Sequence, residues 1–289
     1  MIDITYHKAK SIDEAIDYLK KSNGVFLAGG TDILPKFRKG NFSAPALIDI
    51  SSIGNLRFIR SKDGFVEIGS GTTHSMISNS ELLSRYAPAL VEAVRTIGCP
   101  QTRARGTMGG NLVNASPAAD TVPPFLVLDA ILTLQSEDGK KDVPLREFFT
   151  GPGKTILNPS ELIISVRFPV PDGKWGSHFS KLGKRKGMAI SVASAAAFVH
   201  LDENNVIDSL RIAYGSLAPT PVRGYTVEKY LIKSHADIKQ IQQAAQKCIE
   251  DLHPISDVRA TGDYRIQAAK VLTERVIRYS LDKARNSNV

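Results

Sequence analysis

Two pairs of adjacent glycines, AGGTD at 28–32 and TMGGN at 107–111, limit what this chain can build around them. A glycine pair has no side chain to bury and weakens any helix or strand running through it, so each pair marks a loop or the end of an element. The first follows a short apolar run, VFLA at 25–28, which reads as a strand. Glycine also accepts φ > 0 and lets the backbone approach a ligand, so successive N–H groups can converge on one anion. Thr31, Thr107 and Asn111 add side chains able to hydrogen-bond phosphate oxygens. Two such loops suit the two phosphates of one pyrophosphate. Asp32 is a poor neighbour for an anion, so its carboxylate is expected to turn away and cap the helix starting there.

Two other glycine-rich stretches carry less. GPGKT at 151–155 resembles the end of a phosphate-binding loop, but that motif needs a glycine where this chain has Phe148. It reads as a turn before a strand. GSGTTH at 69–74 follows a strand as a dinucleotide fingerprint does, yet places His74 where close helix packing wants glycine. It reads as punctuation at a strand end, with Thr72 or Thr73 capping a short helix.

Along the chain, Ser11 with Glu14 reads as a capping box, and Ile12, Ala15, Ile16 and Leu19 recur at helical spacing. A short helix is expected from about 32 to 39 and a strand at 45–50. Strands at 56–60 and 65–69 flank the Asp63-Gly64 turn, and Pro88 opens a helix that Gly98 ends. AILTLQS and KDVPL pair across Asp138-Gly139. PVPDGKWG at 169–176 reads as a hinge. Beyond it come strands at 177–182, 190–201 and 206–217, then helices near 225–232, 235–252 (capped by Ser234) and 262–285. The last carries Ile266, Ala269, Val271, Leu272, Val276 and Ile277 on one broad face. The class is α+β in three lobes: 1–54, 55–172 and 173–289, the last an antiparallel sheet with helices.

Composition narrows the function classes. The N-terminal MIDITYHKAK has no apolar core of a signal peptide, and MAISVASAAAFV at 188–199 is too short to span a bilayer, so no membrane association and a cytoplasmic location are expected. Two cysteines, Cys99 and Cys248, are too few for an iron–sulfur cluster or a zinc ribbon, and the six histidines lack HxxxH or HExxH spacing. No metal site is expected. The net charge of +8 gathers at Arg95, Arg103 and Arg105, in KLGKRKG at 181–187, and from Lys270 to Arg285. Charge of this kind attracts phosphates, acidic partners or nucleic acid. A nucleic-acid binder would interleave stacking aromatics with the basic clusters, and KLGKRKG and QTRARG have none. Tyr214 and His178 are read as a core tyrosine and a surface histidine, which leaves no strong acid–base constellation for a stand-alone oxidoreductase with its own substrate pocket, the alternative reading of this chain.

The combination AGGTDIL, TMGGNLVNASPAAD and KLGKRKG after a PVPDG hinge resembles the FAD-binding medium subunit of molybdenum hydroxylases, the xanthine dehydrogenase and carbon monoxide dehydrogenase family, over essentially the whole chain. The resemblance implies a two-lobed FAD-binding fold of the vanillyl-alcohol oxidase (PCMH) type plus a C-terminal antiparallel sheet with helices. It implies that Ala28, Gly29, Gly30, Thr31, Asp32 and Ile33 line one loop, led into by Phe26 and Leu27, and that Thr107, Gly109, Gly110 and Asn111 line the other. It places a cofactor-bonding carboxylate at Asp120, a flavin-packing side chain at Ile97, and Ile163 and Lys181 as approaches from the following lobe. A lysine there would stabilise the charge of a reduced ring. The implied FAD is non-covalent, since neither loop holds a histidine or cysteine. The implied partners are a large molybdopterin subunit and a small subunit with two [2Fe-2S] clusters, with NAD+, oxygen or another acceptor. Two isolated cysteines exclude the hydroxybenzoyl-CoA reductase branch, whose cysteine-rich insertion holds a further cluster.

Overall fold

The computed structural model describes residues 4–185 and 187–287, so Lys186 of the KLGKRKG run lies outside the described residues. In the first lobe the elements are Thr5–Lys8 (β1), Ile12–Ser22 (α1), Val25–Leu27 (β2), Ile33–Arg38 (α2) and Ala46–Asp49 (β3). β1 and β2 both pair in parallel with β3, which lies between them. Ser11 Oγ accepts from the Glu14 N–H at 3.1 Å to start α1, while the Glu14 carboxylate turns back to the Lys10 N–H at 2.6 Å. This helix buries Ala15, Ile16 and Leu19, whereas α2 buries none of its side chains. Asp32 precedes α2 but makes no capping bond; it pairs with Lys36 at 2.6 Å instead. The expected cap is therefore an i,i+4 ion pair with Lys36.

The second lobe begins with the hairpin Ile59–Lys62 (β4) and Phe65–Gly69 (β5). Six helices follow: His74–Ser78 (α3), Glu81–Tyr86 (α4), Pro88–Arg95 (α5), Pro100–Arg105 (α6), Met108–Val113 (α7) and Val122–Val127 (α8). Then come Ile131–Ser136 (β6), Gly139–Pro144 (β7), the small hairpin Phe149–Gly151 (β8) and Lys154–Thr155 (β9), and Leu162–Pro169 (β10). The main sheet runs β4-β5-β10-β6-β7, antiparallel throughout. Its core joins strand residues such as Val66, Ile68 and Phe168 to Leu90, Val94 and Phe125 of the helices. The β10–β6 register shifts between Ile163 and Ser165, so Ile164 is an extra residue. A bulge of this kind re-aims side chains, and Leu162 and Ile164 join the core of the first lobe while Ile163 joins that of the second.

The third lobe is the antiparallel sheet Lys174–Gly183 (β11), Ser191–Leu201 (β12), Ile207–Gly215 (β13) and Val222–Arg223 (β14), followed by Tyr225–Leu231 (α9), Ile238–Lys247 (α10) and Gly262–Arg285 (α11). α11 lies across β11 and β12, while α5 packs on β11 and α8 on β12 and β13. Covered on both faces, β12 is buried along nearly its whole length, which is why it reads as an unbroken apolar run. α10 starts at an Asp237–Gln240 capping box and not at Ser234, because Ser234 Oγ already donates to Leu231 O and accepts from the Ala236 N–H. On α11, Val271 is 56% exposed and leaves the apolar face, whereas Arg265 is 1% exposed. Its guanidinium donates to the carbonyls of Val192 and Ser216 and to Asp257 Oδ1, which ties the 253–260 segment to the sheet.

α11 comes so near β11 that a Cβ at Gly176 would lie 2.2 Å from Ser280 O and 2.6 Å from Ala284 N. Both are backbone atoms of the helix, so neither yields by a rotamer change. Gly176→Ala is expected to lower stability by about 1–3 kcal/mol, read as a lower urea midpoint. An unchanged midpoint would mean that α11 does not seat here.

Candidate functional site

The two glycine loops meet. A Cβ at Gly29 would stand 2.0 Å from Arg105 O, so only glycine lets the first loop rest on the peptide that leads into the second. The second, which the structure forms as the Thr107 cap and first turn of α7, is itself held by a backbone ladder to residues 70–74: His74 N donates to Gly106 O, Met108 N to Thr72 O and Gly109 N to Ser70 O, at 2.8–3.0 Å. A Cβ at Gly109 would lie 2.7 Å from the Ser70 Cβ. Gly29 and Gly109 thus allow chain to pack on chain. Gly30 has φ +72°, and Gly110 would meet only Thr107 Oγ1, at 3.0 Å.

Between the loops runs a cleft of about 700 Å³, within the usual range for a small-molecule site. Phe26, Ala28, Gly29, Gly30, Thr31, Asp32 and Ile33 line one side, and Thr107, Gly109, Gly110 and Asn111 the other, with Ile97 and Ile163 in the same wall. Leu27 is not in the lining. The loops offer different chemistry. Among the described residues the N–H groups of Gly29, Gly30, Thr31 and Asp32 make no hydrogen bond. Those of Met108, Gly109, Gly110 and Asn111 are all engaged, with Thr72 O, Ser70 O, Thr107 Oγ1 and Thr107 O. The first loop therefore presents backbone donors, and the second only side chains: the Thr107 hydroxyl proton and the Asn111 amide, whose Oδ1 is taken by Thr121. The second stretch, with its N–H groups engaged, cannot offer them to an anion as the sequence suggested, whereas those of the first are unengaged.

Residues 2–171 match the family described as the FAD binding domain in molybdopterin dehydrogenase, and residues 178–280 match the CO dehydrogenase flavoprotein C-terminal domain. This chain belongs to that flavoprotein family. It is 34% identical over 276 residues to the xanthine dehydrogenase FAD-binding subunit of Escherichia coli O157:H7, covering 94% of each chain. It is 31% identical to the carbon monoxide dehydrogenase medium chain of Hydrogenophaga pseudoflava, covering 94% of this chain and 95% of the relative. A solved carbon monoxide dehydrogenase from H. pseudoflava matches with a TM-score of 0.93 at 29% identity, over 98% of this chain and 99% of that one. The α+β fold expected from the sequence is the fold of these medium subunits, and the chain is an oxidoreductase subunit of the xanthine and carbon monoxide dehydrogenase type.

Within this family fold, Asp120 and Lys181 are not in the cleft lining. They form a buried ion pair, Lys181 Nζ to Asp120 Oδ2 at 2.5 Å, with side chains 9% and 6% exposed. Ser191 Oγ donates to the other carboxylate oxygen at 2.7 Å, and Thr96 Oγ1 reaches the first at 3.4 Å. Lys181 Nζ also approaches Thr96 O at 3.4 Å, so the pair adjoins Ile97 at that end of the cleft. Burial pushes the Asp120 carboxyl above its usual range, against the opposing pull of Lys181, Ser191 and Thr96. Ile163 lies in β10 of the second lobe and not in the following one.

Two wall residues were hidden in the stretch read as punctuation. Thr73 does cap α3 as expected, accepting from the Met76 N–H, but Ser70 and His74 both line the cleft. Their Oγ and Nδ1 atoms are buried without a partner among the described residues, an arrangement that costs about 1–3 kcal/mol for each such group. Only the ladder to residues 106–109, distant in sequence, reveals them. Gly153 of GPGKT also lines the cleft, its N–H held by Ala115 O. Tyr214 is buried against Thr273, and His178 pairs with Glu92 at 2.9 Å; neither lines the cleft.

Lys181→Met would leave the Asp120 carboxylate buried without its cation, and should cost about 3–5 kcal/mol in urea unfolding. Adding Asp120→Asn should recover much of that loss, and a double variant no more stable than the single one would refute the pairing. Burial, reinforced by the nearby charge of Arg103, lowers the His74 imidazole to about 4. An unfolded histidine protonates near 6.5, so between those values the unfolded chain binds the proton and the folded chain does not. Stability then falls as pH falls through that window, by up to about 1.4 kcal/mol per unit. His74→Gln should flatten the slope of Tm against pH from 6.5 to 4, and an unaltered slope would place the imidazole in solvent.

Proposed function

We propose that this chain holds one non-covalent FAD and serves as the electron-passing subunit of a three-part molybdenum hydroxylase. The unengaged N–H groups of Gly29 to Asp32, facing Thr107 and Asn111 across the cleft, carry this reading. Backbone donors suit the oxygens of a diphosphate, which offers only acceptors there. The Thr107 hydroxyl and Asn111 amide would hold the same bridge from the other side, with Phe26, Ala28 and Ile33 against the nucleotide and Ile163 in the wall. Ile97 would pack on the flavin. Lys181 would supply positive charge near the ring, and Asp120 would hold that lysine or reach the cofactor itself. Lobes 1–54 and 55–172 would enclose the nucleotide, and lobe 173–289 would bring the lysine.

Bound FAD would supply a ring that takes up electrons and hands them on. The protein's own part is to bind, orient and electrostatically tune that ring. In the complex we propose, a large subunit with molybdopterin oxidises the substrate, and a small subunit with two [2Fe-2S] clusters relays electrons to this chain. NAD+, oxygen or another acceptor then receives them, in the cytoplasm. The named subunits of related dehydrogenase complexes support this arrangement.

Purified chain should carry one flavin that acid or heat releases in full. Yellow precipitate would point to a covalent link, for which His74 is the histidine nearest the loops. Gly110→Ala should weaken FAD at least about tenfold, or 1.4 kcal/mol, because its Cβ would crowd Thr107 Oγ1, 3.0 Å away in the cleft wall. Gly29→Ala should lower both Tm and flavin content. Equal flavin in the wild type and Gly110→Ala would put the cofactor elsewhere.

A further inference from the structure

The family resemblance left Ser70 and His74 without a role, and the geometry points to one. Ser70 is 4% exposed and His74 3%. Both line the cleft, yet Ser70 Oγ and His74 Nδ1 satisfy no group among the described residues. Buried polar atoms in native proteins are nearly always partnered, and exceptions need a cause. Their positions are fixed by the ladder that fastens residues 70–74 to the second glycine loop. A Cβ at Gly106 would find the His74 Cδ2 at 3.2 Å and Thr31 Oγ1 at 3.3 Å. The imidazole edge and a side chain of the first loop therefore flank one peptide. Ser70 stands against Gly109 in the second loop. A half-turn about χ2 would put Nδ1 in the place of Cδ2, facing that junction.

We propose that Ser70 and His74 form a third arm of the nucleotide site, donating hydrogen bonds to the diphosphate where the two glycine loops converge. The proposal rests on the reading of this cleft as the FAD site. A serine hydroxyl and an uncharged imidazole each bring one proton to donate, and a diphosphate brings acceptors alone. Bonds from such donors to an ionised oxygen are about twice as strong as neutral ones. Burial and the charge of Arg103 keep the imidazole uncharged at neutral pH. The arm therefore adds donors without adding a buried cation beside Arg103, which itself is anchored to Ile97 O at 2.8 Å.

The test uses the full chain stripped of flavin, with two probes. FAD is followed by quenching of flavin fluorescence, and ADP, which carries the diphosphate without the flavin, by calorimetry. Ser70→Ala and His74→Ala should each weaken FAD and ADP by the same factor, about tenfold. His74→Gln, which retains an N–H donor, should restore part of the loss. The Tm of flavin-free Ser70→Ala and His74→Gln at neutral pH should stay near that of the wild type, since the polar groups removed satisfy nothing there, whereas His74→Ala also loses buried packing. Unchanged affinity for both probes overturns the proposal, as does weakened FAD with unaltered ADP, which would place His74 under the flavin. A lowered Tm with affinities intact would make both residues structural and also overturn it. If the wild type binds neither probe, the cleft is not a nucleotide site, and the proposal falls with that reading.

Discussion

The cleft exists because backbone lies on backbone. Gly29 rests where any Cβ would strike the Arg105 carbonyl, and Gly109 rests against Ser70, so three stretches of chain from both lobes stack without intervening side chains. A junction of this sort cannot absorb a bulky residue by repacking, because the neighbouring atoms belong to peptides that are themselves hydrogen-bonded. It also settles which loop can do what. The second stretch uses its N–H groups to stay in place, and the first, held through its carbonyls and by contact, leaves its own N–H groups unengaged.

Much of this was legible in the residues. The helix of the first lobe, the β4–β5 and β6–β7 hairpins and the long strands of the third lobe follow from periodicity and turn glycines. The two glycine pairs stand out as breaks in the pattern, although the second forms the first turn of α7 and not a loop. What stayed hidden depends on pairing across distance. Ser70 and His74 look like the end of a strand until residues 106–109 are laid beside them. Asp32 looked like a helix cap, but Lys36 one turn on competes for its carboxylate. Ser234 looked like another, but its hydroxyl closes the preceding turn. Nothing local in the sequence announces the burial of Arg265, which the distant carbonyls of Val192 and Ser216 and the carboxylate of Asp257 explain. The assignment of Asp120 and Lys181 to the cofactor came from resemblance; their mutual pairing is a property of the folded chain.

The lobes are joined by more than linkers. β10 sends Leu162 and Ile164 into the first core and Ile163 into the second, so its bulge serves two cores at once. On the other side, Lys181 of β11 meets Asp120 ahead of α8, with Ser191 of β12 completing the carboxylate's bonds. These crossings place a buried charge pair from two lobes at one end of the cleft and a strand shared by two cores in its wall. A site built this way is pre-organised, its shape set before anything enters.

One wall is different. α2 buries no side chain, and its ion pair between Asp32 and Lys36 is half exposed. A short helix with so little tertiary anchorage opens at small free-energy cost compared with the sheets behind it. The loop carrying the free N–H groups leads straight into that helix. If a nucleotide occupies the cleft as proposed, this helix is the part of the wall whose opening would cost least, with both cores left closed.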